Sequence, residues 1–394
     1  MQLADVLKHI RTNRRFDLAS VAHATGISES RLQEFEQGKR EPTSRQFEAL
    51  AETYGVPSYL MGIEALPNLQ ESPKDFRRSV PSPAHLSPPA MQRIWAAEQV
   101  AEATKQLLEA TKAPLASWSK DVPSGKLSVA TATKLRSYFD EWLSPRQQRL
   151  GFTGTDEQKF FGALRIFIEA QGTVVRVNQA PPDDFLGFYL EPEDGAPTAF
   201  VNRKISSVKA QLFTLVHEYA HAMMGASGIS DPFRLKNDVE RSCNAFTAEF
   251  IAPSEEFAKT IESFARTTRG DVFKLVNLAS KHSLLSKHAA AIRLKETDYI
   301  GQKELNQWLS LRAKLTGKEI KNEDAEEDEI GNDFGQVHAK LVGEIGYLPT
   351  YAAGIALDEK LISSVDVVTS ISLSQSIQER AISLATRRFE VAIS

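Results

Sequence analysis

The chain has little cysteine and no long apolar run, and each shortage excludes a class of protein. Cys243 is the single cysteine in 394 residues, so an intramolecular disulfide is excluded and a reducing compartment is expected. No apolar segment reaches the roughly 20 residues that a membrane span requires. The N-terminal sequence MQLADVLKHIRTNRR lacks the apolar core of a signal peptide. We therefore expect a cytoplasmic protein with no membrane partner.

An excess of charge of one sign is also missing. The net charge is −4, with 25% charged and 42% hydrophobic residues, which is ordinary for a globular protein. No global field attracts nucleic acid or a membrane, so any DNA contact must come from a local patch. The length predicts about two to three hydrophobic cores.

Apolar periodicity and proline divide the chain into four regions. Residues 1–62 predict an all-α domain of short amphipathic helices, and residues 63–90 are crowded with proline, which predicts an extended linker. Residues 91–300 predict helices around a small sheet. Residues 301–394 predict a mainly helical C-terminal region for partner binding or regulation. The expected fold class is mostly α with a small β-sheet, that is, α+β.

Three short segments rich in β-branched and aromatic residues predict the strands of the sheet, at 173–177, 187–190 and 198–202. Two other segments stand out. The linker contains Asp-Phe-Arg-Arg at 75–78, which is too apolar and too charged for a simple spacer. The acidic run at 322–329 is interpreted as a solvated loop, because it lacks the glycine and ligand spacing of a calcium site.

The helical segment 207–224 carries His217-Glu218-Tyr219-Ala220-His221. Residues four apart lie above one another on a helix, so both imidazoles can bind one metal ion. Glu218 is rotated by about 100° around the axis and can face a water molecule rather than the metal. Two nitrogen ligands, a general base and an open position are typical of a zinc hydrolase. Without a metal, this buried helix would hold costly polar groups.

The third protein ligand must come from elsewhere, and the next helix, within 238–253, offers two carboxylates, Glu240 and Glu249, with Asp238 behind them. The two glutamates are about two and a half turns apart, and spacing alone does not choose between them. Cys243, one turn from Glu240, is interpreted as a core residue. His288 is a candidate for contact with the substrate or the transition state.

The sequence from Thr198 onward resembles the ImmA/IrrE family of bacterial metallopeptidases. A strand ends in Asn202, the next helix carries F-T-x-x-H-E-x-x-H, and the helix after that follows the family's pattern at Glu240, Asn244, Phe246 and Pro253. The segment 284–294 is similar to the family's closing helix at Ser286, Ala289, Arg293 and Leu294. The resemblance spans roughly residues 70–300 and implies a gluzincin-like fold, Zn²⁺ as the cofactor and Glu240 as the third ligand.

Residues 1–62 resemble the Xre/lambda-repressor-like helix-turn-helix domain, through G-I-S-x-S-x-L-x-x-F-E-x-G-K-R-x-P across Gly26 to Pro42. The resemblance implies a recognition helix that starts near Ser28. Its candidate groove-facing residues are Ser28, Glu29, Ser30, Arg31 and Gln33, and the candidates for phosphate contact are Lys39, Arg40, Arg14 and Arg15. Asp17 and Leu18 depart from the polar pair that the family has before this helix.

Basic and acidic side chains are equally numerous in residues 1–62, so a monomer is expected to bind DNA weakly. We therefore expect a homodimer, with docking of a protein as the alternative role of this domain.

Together these features predict a zinc-dependent endopeptidase and transcriptional regulator, with His217, His221 and Glu240 as ligands and Glu218 as the base. The family resemblance implies that the substrate is a bacterial repressor or a component of a toxin–antitoxin pair, and it suggests a role in stress response. The alternative is a non-proteolytic DNA-binding regulator or antitoxin-like partner of a toxin, in which zinc is structural or sensing.

Overall fold

The computed structural model describes residues 2–14, 16–56, 87–116, 127–182, 184–205, 207–225, 228–230, 238–268, 270–312 and 337–394. Three features singled out in the sequence lie outside these residues: Arg15, the predicted linker up to residue 86 with its segment 75–78, and the acidic run 322–329.

Four short helices form the N-terminal domain: α1 (Leu3–Asn13), α2 (Leu18–Thr25), α3 (Glu29–Glu36) and α4 (Ser44–Tyr54). Asp17 caps α2 by accepting a hydrogen bond from the Ser20 amide at 2.7 Å, which gives this departure from the family pattern a structural role. Arg11 on α1 donates two hydrogen bonds, of 2.6 and 2.8 Å, to the Glu36 carboxylate on α3. This ion pair ties α3 to α1.

Helix α5 (Pro88–Thr111) connects this domain to the remainder of the chain. It begins inside the proline-rich segment because proline is well accommodated in the first turn of a helix, and Ser87 is its N-cap. Gln92 on α5 donates a hydrogen bond of 2.7 Å to the Glu52 carbonyl on α4. The core of the N-terminal domain therefore continues through Met91, Ile94 and Trp95 into the sheet.

The position of Arg14 differs from the one that its predicted phosphate contact requires. Its guanidinium carbon lies 3.9 Å from the centroid of a Trp95 ring, and its Nη1 lies 3.6 Å from a carboxylate oxygen of Glu98 on α5. Burial lowers the pKa of Arg14 to about 10 and raises that of Glu98 to about 7. The predicted phosphate contact of Arg14 is wrong, because this side chain is buried against α5.

The sheet has the strand order β1-β3-β2-β4. Its strands are β1 (Val174–Asn178), β2 (Gly187–Leu190), β3 (Thr198–Asn202) and β4 (Gly228–Ser230). Strands β1 and β3 are parallel, whereas β2 runs antiparallel to both β3 and β4. The three predicted strands are confirmed to within one residue, and the three-residue β4 is an addition too short to give a sequence pattern.

Further helices surround the sheet and one another. They are α6 (Val129–Leu143), α7 (Gln147–Leu150), α8 (Asp156–Ala170), α9 (Val208–Met224), α10 (Asp238–Ile251), α11 (Ser254–Thr268), α12 (Val272–Lys281), α13 (Lys287–Glu296) and α14 (Gln302–Arg312). Among them, α8 and α9 contact the strands directly. Helix α9 packs against β2, β3, α8 and α10, so most of its surface is buried. On the other face of the sheet, Phe188 and Phe200 belong to the same core as the N-terminal domain and α5.

Besides α14, the described residues 337–394 of the C-terminal region are helical, as predicted, and the α+β fold class is confirmed. Its helices are α15 (Val337–Ile345), α16 (Tyr347–Asp358), α17 (Ser364–Ile371) and α18 (Gln378–Ile393), with a 3₁₀ turn at Gln375–Ile377. The buried Glu169 carboxylate on α8 accepts hydrogen bonds from Arg165 at 3.0 Å and from the Leu348 amide of α16 at 2.7 Å. Residues 337–394 thus share a core with the sheet. The separate role predicted for residues 301–394, in partner binding or regulation, stays a prediction.

Candidate metal centre

Helix α9 carries the two histidines of the motif on one face. Ser207 caps the helix by accepting a hydrogen bond from the Ala210 amide, and Gly225 ends it in the left-handed conformation, with φ of 61°. Between these ends, His217 and His221 lie one turn apart with their Nε2 atoms 3.2 Å from each other. Both side chains are fully buried.

Glu240, in the first turn of α10, completes the group. One carboxylate oxygen lies 3.1 Å from Nε2 of His217 and the other lies 3.3 Å from Nε2 of His221. One ligand atom of each residue lies within 4.8 Å of those of the other two. Burial raises the pKa of Glu240, but hydrogen bonds to the two histidines outweigh it and lower that pKa overall. The structure therefore brings together the three side chains that the family resemblance implies as ligands.

The distances within this trio match the requirements of a zinc ion. In a tetrahedral site with zinc–nitrogen bonds of about 2.0–2.1 Å, neighbouring ligand atoms are about 3.3 Å apart. The separation of the two Nε2 atoms, 3.2 Å, and the distances of 3.1 and 3.3 Å from these atoms to the two different oxygens of Glu240 are close to this value. Two imidazole nitrogens and one carboxylate also form the donor set of His₂Glu zinc hydrolases. The residues present fit a zinc ion.

Glu218 lies on α9 beside the trio and faces the sheet. Its carboxylate approaches Gly187 of β2 so closely that a Cβ atom on that glycine would be 2.6 Å from Oε1. Like its neighbours, Glu218 is fully buried. A carboxylate next to a candidate metal-binding trio but outside it has the position expected of a general base.

Glu249, the other carboxylate left open by spacing, is engaged elsewhere. Its oxygens accept hydrogen bonds from the Ser254 hydroxyl at 2.6 Å, from Thr133 at 3.1 Å and from the Arg293 guanidinium. Arg293 also donates to the Ala252 carbonyl at 2.7 Å. Glu249 therefore fastens α10 to α6 and α13, and geometry separates it from the trio where spacing did not.

The remaining candidates near the motif have structural surroundings. Burial, followed by the charges of Glu240 and Glu218, raises the pKa of the Cys243 thiol, which keeps it protonated. Tyr219 points away from the trio and donates a hydrogen bond of 2.7 Å to Gln171. His288 lies on α13 with its ring centroid 6.2 Å from that of Trp308. Burial lowers the pKa of His288 to about 4, so its imidazole is neutral at pH 7. A role for His288 in substrate contact stays a prediction.

Sequence reasoning missed the role of Gly187, and it included Asn202 only through the family resemblance. Gly187 was noted as the first residue of a strand, yet its missing side chain leaves the space that Glu218 occupies. A glycine inside a strand pattern was the available signal, because it indicates close approach of another group. Asn202 is fully buried and donates to the Ala180 and Phe185 carbonyls at 3.0 Å. It closes the loop between β1 and β2.

The predicted DNA-facing residues lie on and after α3. Leu32 and Phe35 are buried in the core of the domain, whereas the opposite side is exposed. The exposed candidates are Ser28, Glu29, Ser30, Arg31, Gln33, Lys39 and Arg40. Arg40 lies 3.8 Å from Glu34, so its charge is partly offset.

Two segments of the chain are similar to known protein families. Residues 2–60 match the model of a helix-turn-helix domain, and residues 168–295 match the model of the IrrE N-terminal-like domain, the M78 peptidase family. No curated protein and no solved structure shows a significant match to the chain. Among the described helices, none is both long and apolar enough to cross a membrane. The chain thus carries an N-terminal helix-turn-helix domain and, at residues 168–295, a domain of the IrrE N-terminal-like peptidase family, which together support a DNA-binding regulator with a peptidase-type domain.

Proposed function

We propose that the chain is a zinc-dependent endopeptidase that controls a regulatory protein. The observation that carries this proposal is the fully buried trio of His217, His221 and Glu240, with Glu218 beside it on the same helix as the histidines. Burial of four polar side chains in the core is costly, and a bound metal ion would compensate that cost. The match to a peptidase family supports the same function.

Each residue has a defined task in this proposal. His217, His221 and Glu240 would hold Zn²⁺, which as a Lewis acid polarises a peptide carbonyl and makes water more acidic. Glu218 accepts the proton of the attacking water and then delivers it to the nitrogen of the leaving amine. Its burial keeps bulk water away from the carboxylate, which strengthens its interaction with the reacting proton.

Glu249 and Arg293 support the site from outside. Their ion pair, with the hydrogen bonds to Ser254 and Thr133, fixes α10 relative to α6 and α13. Because Glu240 projects from the same helix, this network holds the third ligand in register with the two histidines. Supporting contacts of this kind are needed to keep ligands in place.

The proposed substrate is a bacterial regulatory protein, either a repressor or a component of a toxin–antitoxin pair. The family resemblance supports this class, together with the helix-turn-helix domain that shares a core with α5 and the sheet. A regulator that joins DNA recognition to proteolysis could remove a repressor where it is bound.

The substitution Glu218→Gln tests catalysis. The side chain keeps its size, so we expect the fold and one zinc per chain to be retained while cleavage falls by about 10²–10⁴-fold. Protein N termini would be sequenced from bacterial cells that produce the wild type or the variant. New N termini in a regulatory protein should appear with the wild type alone.

The matched control is Glu255→Gln, because Glu255 is an exposed carboxylate on α11. This variant should produce the same new N termini as the wild type. Identical N termini for the wild type and Glu218→Gln, with zinc present in both, would contradict the peptidase function. That result would favour the non-proteolytic regulator or antitoxin-like partner, with a structural or sensing zinc site.

A second function, DNA binding by a dimer, is favoured by the exposed side of α3. Ser28, Ser30, Arg31 and Gln33 are the proposed base contacts, and Lys39 and Arg40 the proposed phosphate contacts. Each phosphate contact contributes about 0.9 to the slope of log affinity against log salt. The Lys39→Ala, Arg40→Ala double variant should therefore lower this slope by about 2 on random-sequence duplex DNA.

The control for DNA binding is the Lys274→Ala, Lys281→Ala double variant, which removes two exposed charges from α12. Its salt slope should equal that of the wild type. An unchanged slope in the Lys39→Ala, Arg40→Ala variant would favour docking of a protein instead. Analytical ultracentrifugation tests the proposed homodimer.

A further inference from the structure

We infer that Gly187 is a positioning residue for Glu218: a strand residue without a side chain fixes where the carboxylate lies. This inference rests on the proposed function, because it assigns Glu218 the role of base. Gly187 is the first residue of β2, and all four residues of this strand are buried. Its contribution to the site is the space that its missing side chain leaves for the Glu218 carboxylate.

The two faces of β2 differ in what they contact. Phe188 faces the N-terminal core, where its ring stacks on Phe200 at 4.7 Å with an interplanar angle of 7°. Neighbouring residues of a strand point to opposite faces, so Gly187 faces α9. Helix α9 contacts β2 along this face, and Glu218 projects toward it.

The space beside Gly187 is completely taken. A Cβ atom added there would lie 2.6 Å from Oε1 of Glu218, 2.6 Å from Cγ2 of Thr214 and 2.9 Å from the Phe200 carbonyl oxygen. Gly187 does not adopt a positive φ, so its backbone conformation does not require a glycine. What the site requires at position 187 is therefore space.

The three neighbours differ in how easily they move. The Phe200 carbonyl belongs to β3, which is paired on both sides. The Thr214 side chain is held by a hydrogen bond of 3.1 Å from its hydroxyl to the Ala210 carbonyl, which directs its methyl group toward β2. The Glu218 carboxylate is the end of a flexible side chain. An added methyl group would therefore displace Glu218 in preference to the other two.

A double-mutant cycle on the zinc-loaded full-length chain tests this inference without a substrate. Gly187→Ala is made in the wild type and in Glu218→Ala, and the melting temperature of each protein is measured. Removal of the carboxylate frees the space, so the loss of melting temperature caused by Gly187→Ala should shrink in the Glu218→Ala background. An equal loss in both backgrounds would overturn the inference.

Two further variants identify the contact that matters. Thr214→Ser removes the methyl group near Gly187, and it should relieve the loss less than Glu218→Ala does. Greater relief by Thr214→Ser would overturn the inference, because the glycine would then serve packing alone. If Gly187→Ala does not fold, recovery of folding in the Gly187→Ala, Glu218→Ala double variant supports the inference, and failure of both overturns it.

Cleavage and metal content supply the remaining readouts. Gly187→Ala should keep one zinc per chain, with kcat lowered by about 10²-fold and KM little changed, since a misplaced base costs about this much. Gly195→Ala is the matched control: its Cβ would be 3.1 Å from Ala101 and from Pro192, away from Glu218, and cleavage should be unchanged. If Glu218→Gln leaves cleavage intact, the proposed function fails while the melting cycle still decides the contact.

Discussion

Helix α10 carries two buried glutamates whose surroundings differ, and the difference separates a candidate ligand from a structural residue. Glu240 faces the Nε2 atoms of His217 and His221. Glu249 faces the Arg293 guanidinium and the Ser254 hydroxyl. Both carboxylates are almost fully buried, at 0% and 4% exposure, so burial does not distinguish them.

The partners of each carboxylate do distinguish them. A guanidinium neutralises the charge of Glu249 permanently, because arginine stays protonated in proteins. Imidazoles carry no permanent charge, so in the proposed site a bound metal ion would balance the buried charge of Glu240. The same residue type on one helix therefore stabilises the fold at one end and belongs to a candidate metal site at the other.

The largest expected effect is loss of the metal from Glu240→Ala. The purified variant should hold close to no zinc, against one ion per chain in the wild type, because two histidines alone leave a buried cation without its carboxylate. Zinc would be measured by mass spectrometry after dialysis. Glu249→Ala is the comparison, and it should keep its zinc. Loss of zinc from Glu249→Ala with retention in Glu240→Ala would reverse the assignment.

Replacement of Arg293, the partner of Glu249, should lower the stability of the protein and leave its zinc content unchanged. Arg293→Ala leaves a buried carboxylate without its cation, and the free energy of unfolding should fall by about 3–5 kcal/mol. Urea unfolding of the zinc-loaded protein measures this loss. The Glu249→Leu, Arg293→Met double variant removes both charges and should be more stable than Arg293→Ala. A double variant no more stable than the single one would weaken the ion-pair account.

The pH dependence of Glu249 gives a third contrast. Burial opposes ionisation, but hydrogen bonds from Ser254 and Arg293 outweigh it and lower the pKa of Glu249. Its folded pKa is therefore below the unfolded value of about 4.3, so its stabilisation is complete above that pH and is lost as the pH falls through the folded pKa. Glu249→Gln should cost stability at pH 7 and less at pH 3. An equal loss of stability at pH 7 and at pH 3 would contradict the lowered pKa of Glu249.

The smallest expected effect belongs to Cys243, one turn from Glu240 on α10. Cys243→Ala should leave the zinc content unchanged and lower the free energy of unfolding by about 1 kcal/mol, because a buried thiol contributes packing alone. Mass spectrometry measures the zinc content, and urea unfolding measures the free energy of unfolding. Loss of zinc from this variant would make the thiol a ligand and would displace Glu240 from that role.

Much of the fold was predictable because its signals are local. Three strands are rich in β-branched and aromatic residues, and His217 and His221 share a helix face by spacing alone. The choice between Glu240 and Glu249 depends on Arg293, which lies 44 positions from Glu249 in sequence, and no local pattern encodes that contact. Family resemblance selected Glu240, and the structure gives the physical reason.

Contacts between distant segments explain the other gaps. Arg14 is exposed or buried according to where α5 lies, and its partners Trp95 and Glu98 are separated from it by residues of the proline-rich segment. The role of Gly187 likewise depends on Glu218, which lies on α9, and strand β3 separates this helix from β2 in sequence. Sequence reasoning placed this glycine at the start of a strand, but only the packing of α9 on β2 shows what occupies its space.

Anomalous X-ray scattering from crystals at the zinc absorption edge tests the central claim most directly. The account predicts one strong peak within about 2.0–2.2 Å of the ligand atoms of His217, His221 and Glu240. Absence of a peak among these three side chains in crystals of zinc-supplemented protein, or a peak that has Glu249 as a ligand, would contradict it.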